Sequence, residues 1–275
     1  MNGKTGFHKL LRRAAALSVV ASAVGLTCGC AYQKEYNTVL KQGTVEQKYD
    51  FAVRAYDKQD YKKSINLFEE LLPFFRGKDA VEGLLFNLAY SYFYDKDYYM
   101  ASHYFRALAR QFPNGEYVER ATYMSAYCKT LESPDYRLDQ TATQEAIKQL
   151  QLYINYYPDS RRADEVARLI AEMRQKLATK AFHIAKMYYR RNLYNAAGIC
   201  YRNFLKDYPE SPDRAEAMYL MIRSHYLYAK NSVASMQAER YGKVLDDYEL
   251  FMRVYADSPY REDVEKLVAE SRKHI

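Results

Sequence analysis

Five histidines and four cysteines are the side chains of this 275-residue chain best suited to holding a metal or attacking an electrophile. His8, His103, His183, His225 and His274 are scattered, without the short spacings that bring imidazoles onto one ion. There is no glycine-rich phosphate loop, no G-x-S-x-G elbow and no paired zinc-type cysteines. Asp and Glu are plentiful but alternate with Lys and Arg, as they do on solvated helix faces. The reading at this point is a chain that is not an enzyme and takes no cofactor and no metal. Cys128 and Cys200 each lie in an apolar helical pattern. Two buried thiols, or a disulfide formed in an oxidising compartment, both fit.

Covalent chemistry is foreseen at the amino terminus. Lys4, His8, Lys9, Arg12 and Arg13 precede an apolar stretch over residues 14–26, and Cys28, Gly29 and Cys30 follow. That order is the plan of a secretory signal. The apolar stretch is well short of the roughly 20 residues that span a bilayer. Leu26-Thr27-Cys28-Gly29-Cys30 is similar to a bacterial lipoprotein lipobox, in which a small residue precedes the modified thiol. Gly29 before Cys30 satisfies this better than Thr27 before Cys28, so Cys30 is the expected lipidation site and Cys28 the alternative. An acylated cysteine supplies the two hydrophobic signals that stable anchoring requires. Residue 31 is Ala rather than Asp, which in the lipoprotein sorting scheme favours the outer membrane. Residues 1–29 are therefore read as a lipoprotein signal peptide and residues 30–44 as a lipidated tether.

The elements that fill the rest of the chain announce themselves by repetition. Five segments place a small residue, an aromatic or Leu, an apolar residue and a closing aromatic at spacings of 4, 3 and 4. They are Ser64/Phe68/Leu71/Phe75, Ala101/Phe105/Leu108/Phe112, Ala146/Leu150/Tyr153/Tyr157, Ala197/Tyr201/Phe204/Tyr208 and Val244/Tyr248/Phe251/Tyr255. Such spacing puts all four side chains on one stripe of a helix. Pro113, Pro158 and Pro209 end three stripes, Arg76-Gly77 and Pro259 end the others, and Ser160, Ser211 and Ser258 offer caps for the helices that follow.

Partner helices precede the stripes. Leu85, Leu88, Ala89 and Tyr92, with Ala101, Phe105 and Pro113, fit the tetratricopeptide (TPR) pattern of about 34 residues. Ala181, Ile184, Ala185 and Tyr188 repeat it, and Phe51, Ala52 and Ala55 do so in part. The expected fold is all-α: a TPR-like α-solenoid of about five helix-turn-helix repeats, with repeats 1–3 over residues 45–160 and repeats 4–5 over residues 161–275. Residues 131–142 read as a loop, and residues 160–191, free of Pro and Gly, as one long connecting helix or two joined end to end. TPR stacks present the inner faces of their first helices as a groove. Counting from the motif gives Tyr49, Val53 and Tyr56, then Phe86, Tyr90 and Phe93, as partner-binding positions, suited to an extended segment with alternating aromatic side chains.

Composition narrows the class of partner. The chain has 30 Tyr and no Trp, and a formal charge of +7. Lys4, Lys9, Arg12 and Arg13 carry four of those charges, so the remainder is near +3. A weak excess spread over a long chain is not a nucleic-acid footprint.

With lipobox and repeats together, the sequence resembles the BamD family of outer-membrane protein assembly lipoproteins, most of all its Bacteroidetes form. The resemblance covers roughly residues 30–270. It is carried by the run from Glu35 to Lys41, by Tyr188-Tyr189 through Tyr194, by the stretch from Asn203 to Ser211, by Tyr228 to Ser232 with Glu239-Arg240-Tyr241, and by Asp257 to Arg261. Tandem Cys28 and Cys30, and Ala256 in place of a last proline, depart from it. The resemblance implies a lipid-anchored scaffold on the periplasmic face of the outer membrane of a Gram-negative bacterium, within the β-barrel assembly (BAM) complex. Its implied partners are a barrel assembly protein with POTRA domains and unfolded outer-membrane proteins. Amino-terminal repeats would serve substrates, and carboxy-terminal repeats, with Arg214, Arg223, Arg240, Arg253 and Arg261, would serve the complex partner. The alternative is a lipid-anchored TPR protein for another envelope partner or for a glycan or nutrient transporter. The large non-TPR region of the SusD class and the coiled-coil arm of a constriction coordinator have no counterpart in this sequence.

Overall fold

The structure, a computed structural model, describes residues 30–78 and 80–275. The signal peptide expected over residues 1–29 lies outside the described residues. Residues 30–42 form α1. There follow α2 (Val45–Asp57), α3 (Tyr61–Phe75), α4 (Val81–Tyr94), α5 (Tyr98–Gln111), α6 (Val118–Glu132), α7 (Thr141–Tyr156), α8 (Ala163–Arg190), α9 (Tyr194–Asp207), α10 (Arg214–Lys230), α11 (Ala234–Val254) and α12 (Arg261–Ser271). Among the described residues there is no strand, and no helix is long and apolar enough to cross a membrane.

The chain divides into two compact units between Cys128 and Lys129, inside α6. Within the first, α2 packs on α3, α3 on α4 and α4 on α5; within the second the same succession runs from α7 to α11. Within each of these runs, successive helices meet across short turns. This is the all-α, TPR-like architecture that the stripes predict. The 28-residue α8 is a single helix that packs on both α7 and α9. It ties the second helix of repeat three to repeat four.

The stripes form the cores. Ser64, Phe68, Leu71, Ala101, Phe105, Leu108, Ala146, Leu150, Tyr153, Ala197, Tyr201, Phe204, Val244 and Phe251 are all buried. Tyr248 is half-buried at the edge of the second unit's core. Phe75 is the last residue of α3, and the other four closing aromatics are each the residue just past their helix. Phe112, Tyr157 and Tyr208 have left helical geometry, with φ between −124° and −131° and ψ between 64° and 67°. A following proline bars them from the α region. Tyr255, followed by Ala256, relaxes only to ψ 28°.

Three expectations need correction. Ser160, Ser211 and Ser258 do not cap the next helices. Their hydroxyls accept from the backbone N–H two residues on, at Arg162, Asp213 and Tyr260, and so brace the turns that lead into α8, α10 and α12. Ile184 is 40% exposed. The buried line of α8 runs instead through Ala178, Phe182 and Ala185, because Phe182 turns in to meet the rings of Tyr201 and Phe204 at 6.0 and 5.4 Å. The expected tether is helical, and its Tyr36 is buried against Phe51 of α2.

One recurrent turn was not legible in the pattern. Gln59, Lys96 and Asn192 adopt φ of 60°, 67° and 60°. The next residue's N–H then returns to a carbonyl five residues back, on Ala55, Tyr92 and Tyr188. This is the Schellman closure of a helix. It usually has glycine at the left-handed position, and no glycine marks it here.

Candidate functional site

Unit 1 carries a connected face of aromatic rings, built from the first helices of its repeats and the turns beside them. Tyr56 at the end of α2 meets Tyr61 (5.8 Å between centroids) and Tyr94 (6.1 Å). Tyr61 stacks on Tyr94 at 5.2 Å. Tyr94 continues to Tyr90 (5.9 Å), Tyr90 to Phe86 (4.8 Å), and Phe86 to Tyr117 (4.2 Å, stacked at 26°). Phe93 adds contacts to Tyr98 (5.8 Å) and Tyr127 (6.2 Å). The edge-on and offset geometries are those that rings favour.

The local sequence explains how the face is held. On α4, Phe86, Tyr90 and Phe93 recur one turn apart and so share a stripe. Tyr90 is the floor rather than the rim: it is 5% exposed and lies edge-on against the core ring of Phe105 at 4.9 Å. Arg120 of α6 donates to the Tyr90 hydroxyl at 2.6 Å and spreads its guanidinium over Phe86 and Tyr90. At the far end, Glu82 accepts from the Tyr117 backbone N–H at 3.2 Å. A Cβ at residue 115 would overlap the Glu82 carboxylate, so Gly115 is what lets that carboxylate reach and seat Tyr117 on Phe86.

Burial, and then the neighbouring phenols of Tyr94, Tyr61 and Tyr90, push the Tyr56 hydroxyl far above the ordinary tyrosine value. It stays a neutral donor at physiological pH. The face therefore offers uncharged ring area with a few O–H groups and one guanidinium. That suits polypeptide backbone and apolar side chains rather than an ion.

Of the six expected partner-binding residues, Tyr56, Phe86, Tyr90 and Phe93 belong to this face. Val53 is half-buried. Tyr49 turns to its own repeat, against Phe68 and Phe75, each at 6.0 Å. Sequence reasoning missed Tyr61, Tyr94, Tyr117 and Arg120, which lie on a second helix, at the end of α4, on a turn and on α6. It also stopped one repeat early. The interval from Tyr49 to Phe86 and from Val53 to Tyr90, taken once more, lands on Tyr123 and Tyr127, which stack at 5.8 Å.

Unit 2 is different in kind. A cavity of about 340 Å³ has Leu205, Met218, Met221 and Val254 among its apolar lining and Arg202, Lys206, Arg214 and Arg253 around it. Arg214 donates to the Pro209 carbonyl at 2.7 Å, while its buried Nε has no hydrogen-bond partner. Arg253 pairs with Glu249 at 3.6 Å, and the other arginines expected on this half are likewise engaged locally: Arg223 with Tyr219, Arg240 with Ser232 and Tyr228, Arg261 with Glu265. Asp247 also lines the cavity and is hydrogen bonded to His225, both side chains being buried.

Cys30 is exposed, Cys128 is buried, and Cys200 is half-buried, with its thiol pKa raised by burial. Among the described residues no three His, Cys, Asp or Glu side chains are grouped to hold a metal.

The family described as YfiO, outer membrane lipoprotein, matches residues 41–241. The chain belongs to this family. Several curated relatives bear the name outer membrane protein assembly factor BamD. One assigned in Aquifex aeolicus is 29% identical over 84% of this chain and 74% of its own length. Those of Pasteurella multocida and Caulobacter vibrioides are each 22% identical, over 83% and 94% of this chain and 90% and 85% of theirs. A solved TPR domain, that of P58(IPK), aligns with 98% of this chain at 13% identity and a TM-score of 0.37, too loosely to add to the hairpins described above. The aromatic face lies within the matched residues, whereas the cavity does so only in part, since Asp247, Leu250, Arg253, Val254 and Tyr255 come after them.

Proposed function

We propose that this YfiO-family chain is a lipid-anchored scaffold of the outer-membrane β-barrel assembly machinery, held on the periplasmic face through Cys30. Its first unit receives unfolded barrel segments, and its second docks a barrel assembly protein through that partner's POTRA domains. The observation that carries the reading is the ring path from Tyr56 to Tyr117. Outer-membrane strands alternate apolar and polar residues with aromatic girdles. An unpaired strand of that kind needs ring surface on one side and hydrogen-bond donors for its exposed backbone. The basic cavity of unit 2 supports the second role, because cations over an apolar floor suit an acidic side chain set in an apolar partner surface. The names of the relatives point the same way.

A carboxy-terminally tagged chain, purified from detergent-solubilised outer membrane, tests the assignment. It should recover a POTRA-containing barrel protein; recovery of a polysaccharide transporter alone would favour the alternative envelope role. A double substitution, Phe86→Ala with Tyr117→Ala, should reduce crosslinking to unfolded barrel substrates and leave the POTRA partner bound. Arg202→Glu with Arg253→Glu should do the reverse.

A further inference from the structure

The anchor and the fold are joined with almost no slack, and this fixes which end of unit 1 faces the bilayer. Cys30 begins α1, and Tyr32, two residues on, is already locked. Its ring stacks on Phe51 at 5.2 Å, and the ammoniums of Lys58 and Lys63 lie over it at 4.6 and 4.9 Å. Its hydroxyl is buried without a hydrogen-bond partner, and burial raises its pKa. Further along α1, Glu35 accepts from Arg54 at 2.7 Å, and the Tyr36 hydroxyl accepts from Asn66 at 3.1 Å. α1 is thus a docked stalk. Two residues of chain reach at most roughly 7 Å.

Cys30 therefore emerges beside the α2–α3 turn. Lys34, Lys58 and Lys62 are exposed there, while Lys63 pairs with Asp60, Arg54 pairs with Glu35, and Asp57 remains as an acidic neighbour. The α4–α5 turn reaches the same end, because Tyr94 stacks on Tyr61. It adds Lys96 and the 67%-exposed Tyr99, together with Asp95 and Asp97, the latter spent on capping α5. With the pairs set aside, cations outnumber acids around Cys30.

We propose that the α2–α3 turn end of unit 1 lies against the membrane surface, with Lys34, Lys58 and Lys62 on anionic phospholipid headgroups. This rests on the reading that Cys30 is acylated. A lipid on Cys30 puts its backbone at the headgroup layer, so these ammoniums fall within about the 8 Å over which surface charge is felt. Tyr99 has the amphipathic ring that favours the interface. Lys41, on the same helix but roughly 16 Å further along, lies beyond that layer.

The full chain, isolated with whatever modification Cys30 carries, is placed in phosphatidylcholine vesicles with or without phosphatidylglycerol. Lysine acetylation rates are read by mass spectrometry, and the same digest gives the mass on Cys30. Lys34, Lys58 and Lys62 should react about fivefold more slowly on the phosphatidylglycerol vesicles. Lys41 and Lys78 should not change, and high salt should abolish the difference. A Lys34→Gln, Lys62→Gln variant, which leaves the contacts of Tyr32 intact, should lose most of the phosphatidylglycerol-dependent hydrogen-exchange protection of residues 30–42. Equal rates on both vesicles with Cys30 acylated would overturn the headgroup contact and leave the anchor standing. Absence of an acyl group from both Cys30 and Cys28 would overturn the anchor, and this proposal with it.

Discussion

The two units share one core plan and differ in what surrounds it. In unit 1 the positions beside the stripe are rings, touching from Tyr56 to Tyr117 with Arg120 across them. In unit 2 they are Arg202, Lys206, Arg214 and Arg253 around an apolar floor, with Asp247 of the His225–Asp247 pair also in the lining. A repeat stripe must be filled for the hairpins to pack at all. Its neighbours are free to vary, and it is there that the two halves differ.

The hardest test of the shared plan is to empty the stripe. Phe105→Ala removes a fully buried ring that Tyr90 and Phe86 both lean on. It should destabilise by about 3–5 kcal/mol, and Phe251→Ala in unit 2 should match it. Tyr94→Ala, at a ring 46% exposed on the rim, should cost far less while still weakening substrate crosslinking. Denaturant unfolding of the three variants would show it. Similar losses for Tyr94 and Phe105 would mean that the face is core rather than surface.

Next in size is a contrast between units. Gly198 of α9 is buried, and a Cβ there would overlap the His225 imidazole. That ring is fixed by Asp247, with little room to retreat. Gly198→Ala should cost about 1–3 kcal/mol through overpacking. His225→Ala should relieve the clash, so the double variant should fall short of the sum of the two single losses. Additive losses would show that the imidazole is not what opposes the added methyl.

How much of this was legible beforehand depends on what sets each feature. The stripes were, because burial by period depends only on local spacing; Phe68, Phe105, Tyr153, Tyr201 and Phe251 all lie where the spacing put them. The loop over residues 133–140 was also legible, but its anchoring by Lys176 to Ser133 and by Lys180 to the Leu138 carbonyl was not. Those contacts join residues about 40 positions apart. The left-handed turns at Gln59, Lys96 and Asn192 were hidden because no glycine marks them, and only Asn192 is of a type that takes this conformation readily. The face was half visible: Phe86, Tyr90 and Phe93 come from one helix, whereas Tyr117 joins only because Glu82 and Gly115 seat it.

A smaller effect sharpens the electrostatics of unit 1. The hydroxyls of Tyr92 and Tyr104 both donate to Glu69, at 2.6 and 3.0 Å. Burial first, and then the carboxylate, push the Tyr104 phenol up to about 12. A phenol whose pKa is higher folded than unfolded favours folding while neutral. Its contribution is intact below the ordinary tyrosine value of about 10 and declines as pH rises toward about 12. Tyr104→Phe should cost about 1 kcal/mol at neutral pH. It should also flatten the loss of stability between about pH 10 and 12, read as melting temperature against pH. An unchanged slope would remove Tyr104 from that account.

The smallest expected change has the opposite sign. Gly83 lies in the first turn of α4, one turn before Phe86 on the same stripe, and a Cβ there would meet nothing within 4 Å. Glycine inside a helix costs about 0.5–1 kcal/mol relative to alanine, because it surrenders more backbone freedom on folding. Gly83→Ala should therefore stabilise by about that amount, where the same change at Gly198 destabilises. Both residues are helical glycines, so intrinsic propensity alone would give them the same sign. Thermal melting of the two alanine variants side by side separates that from packing. Stabilisation at both would mean that the His225 imidazole yields; destabilisation at both would mean that Gly83 has a neighbour after all.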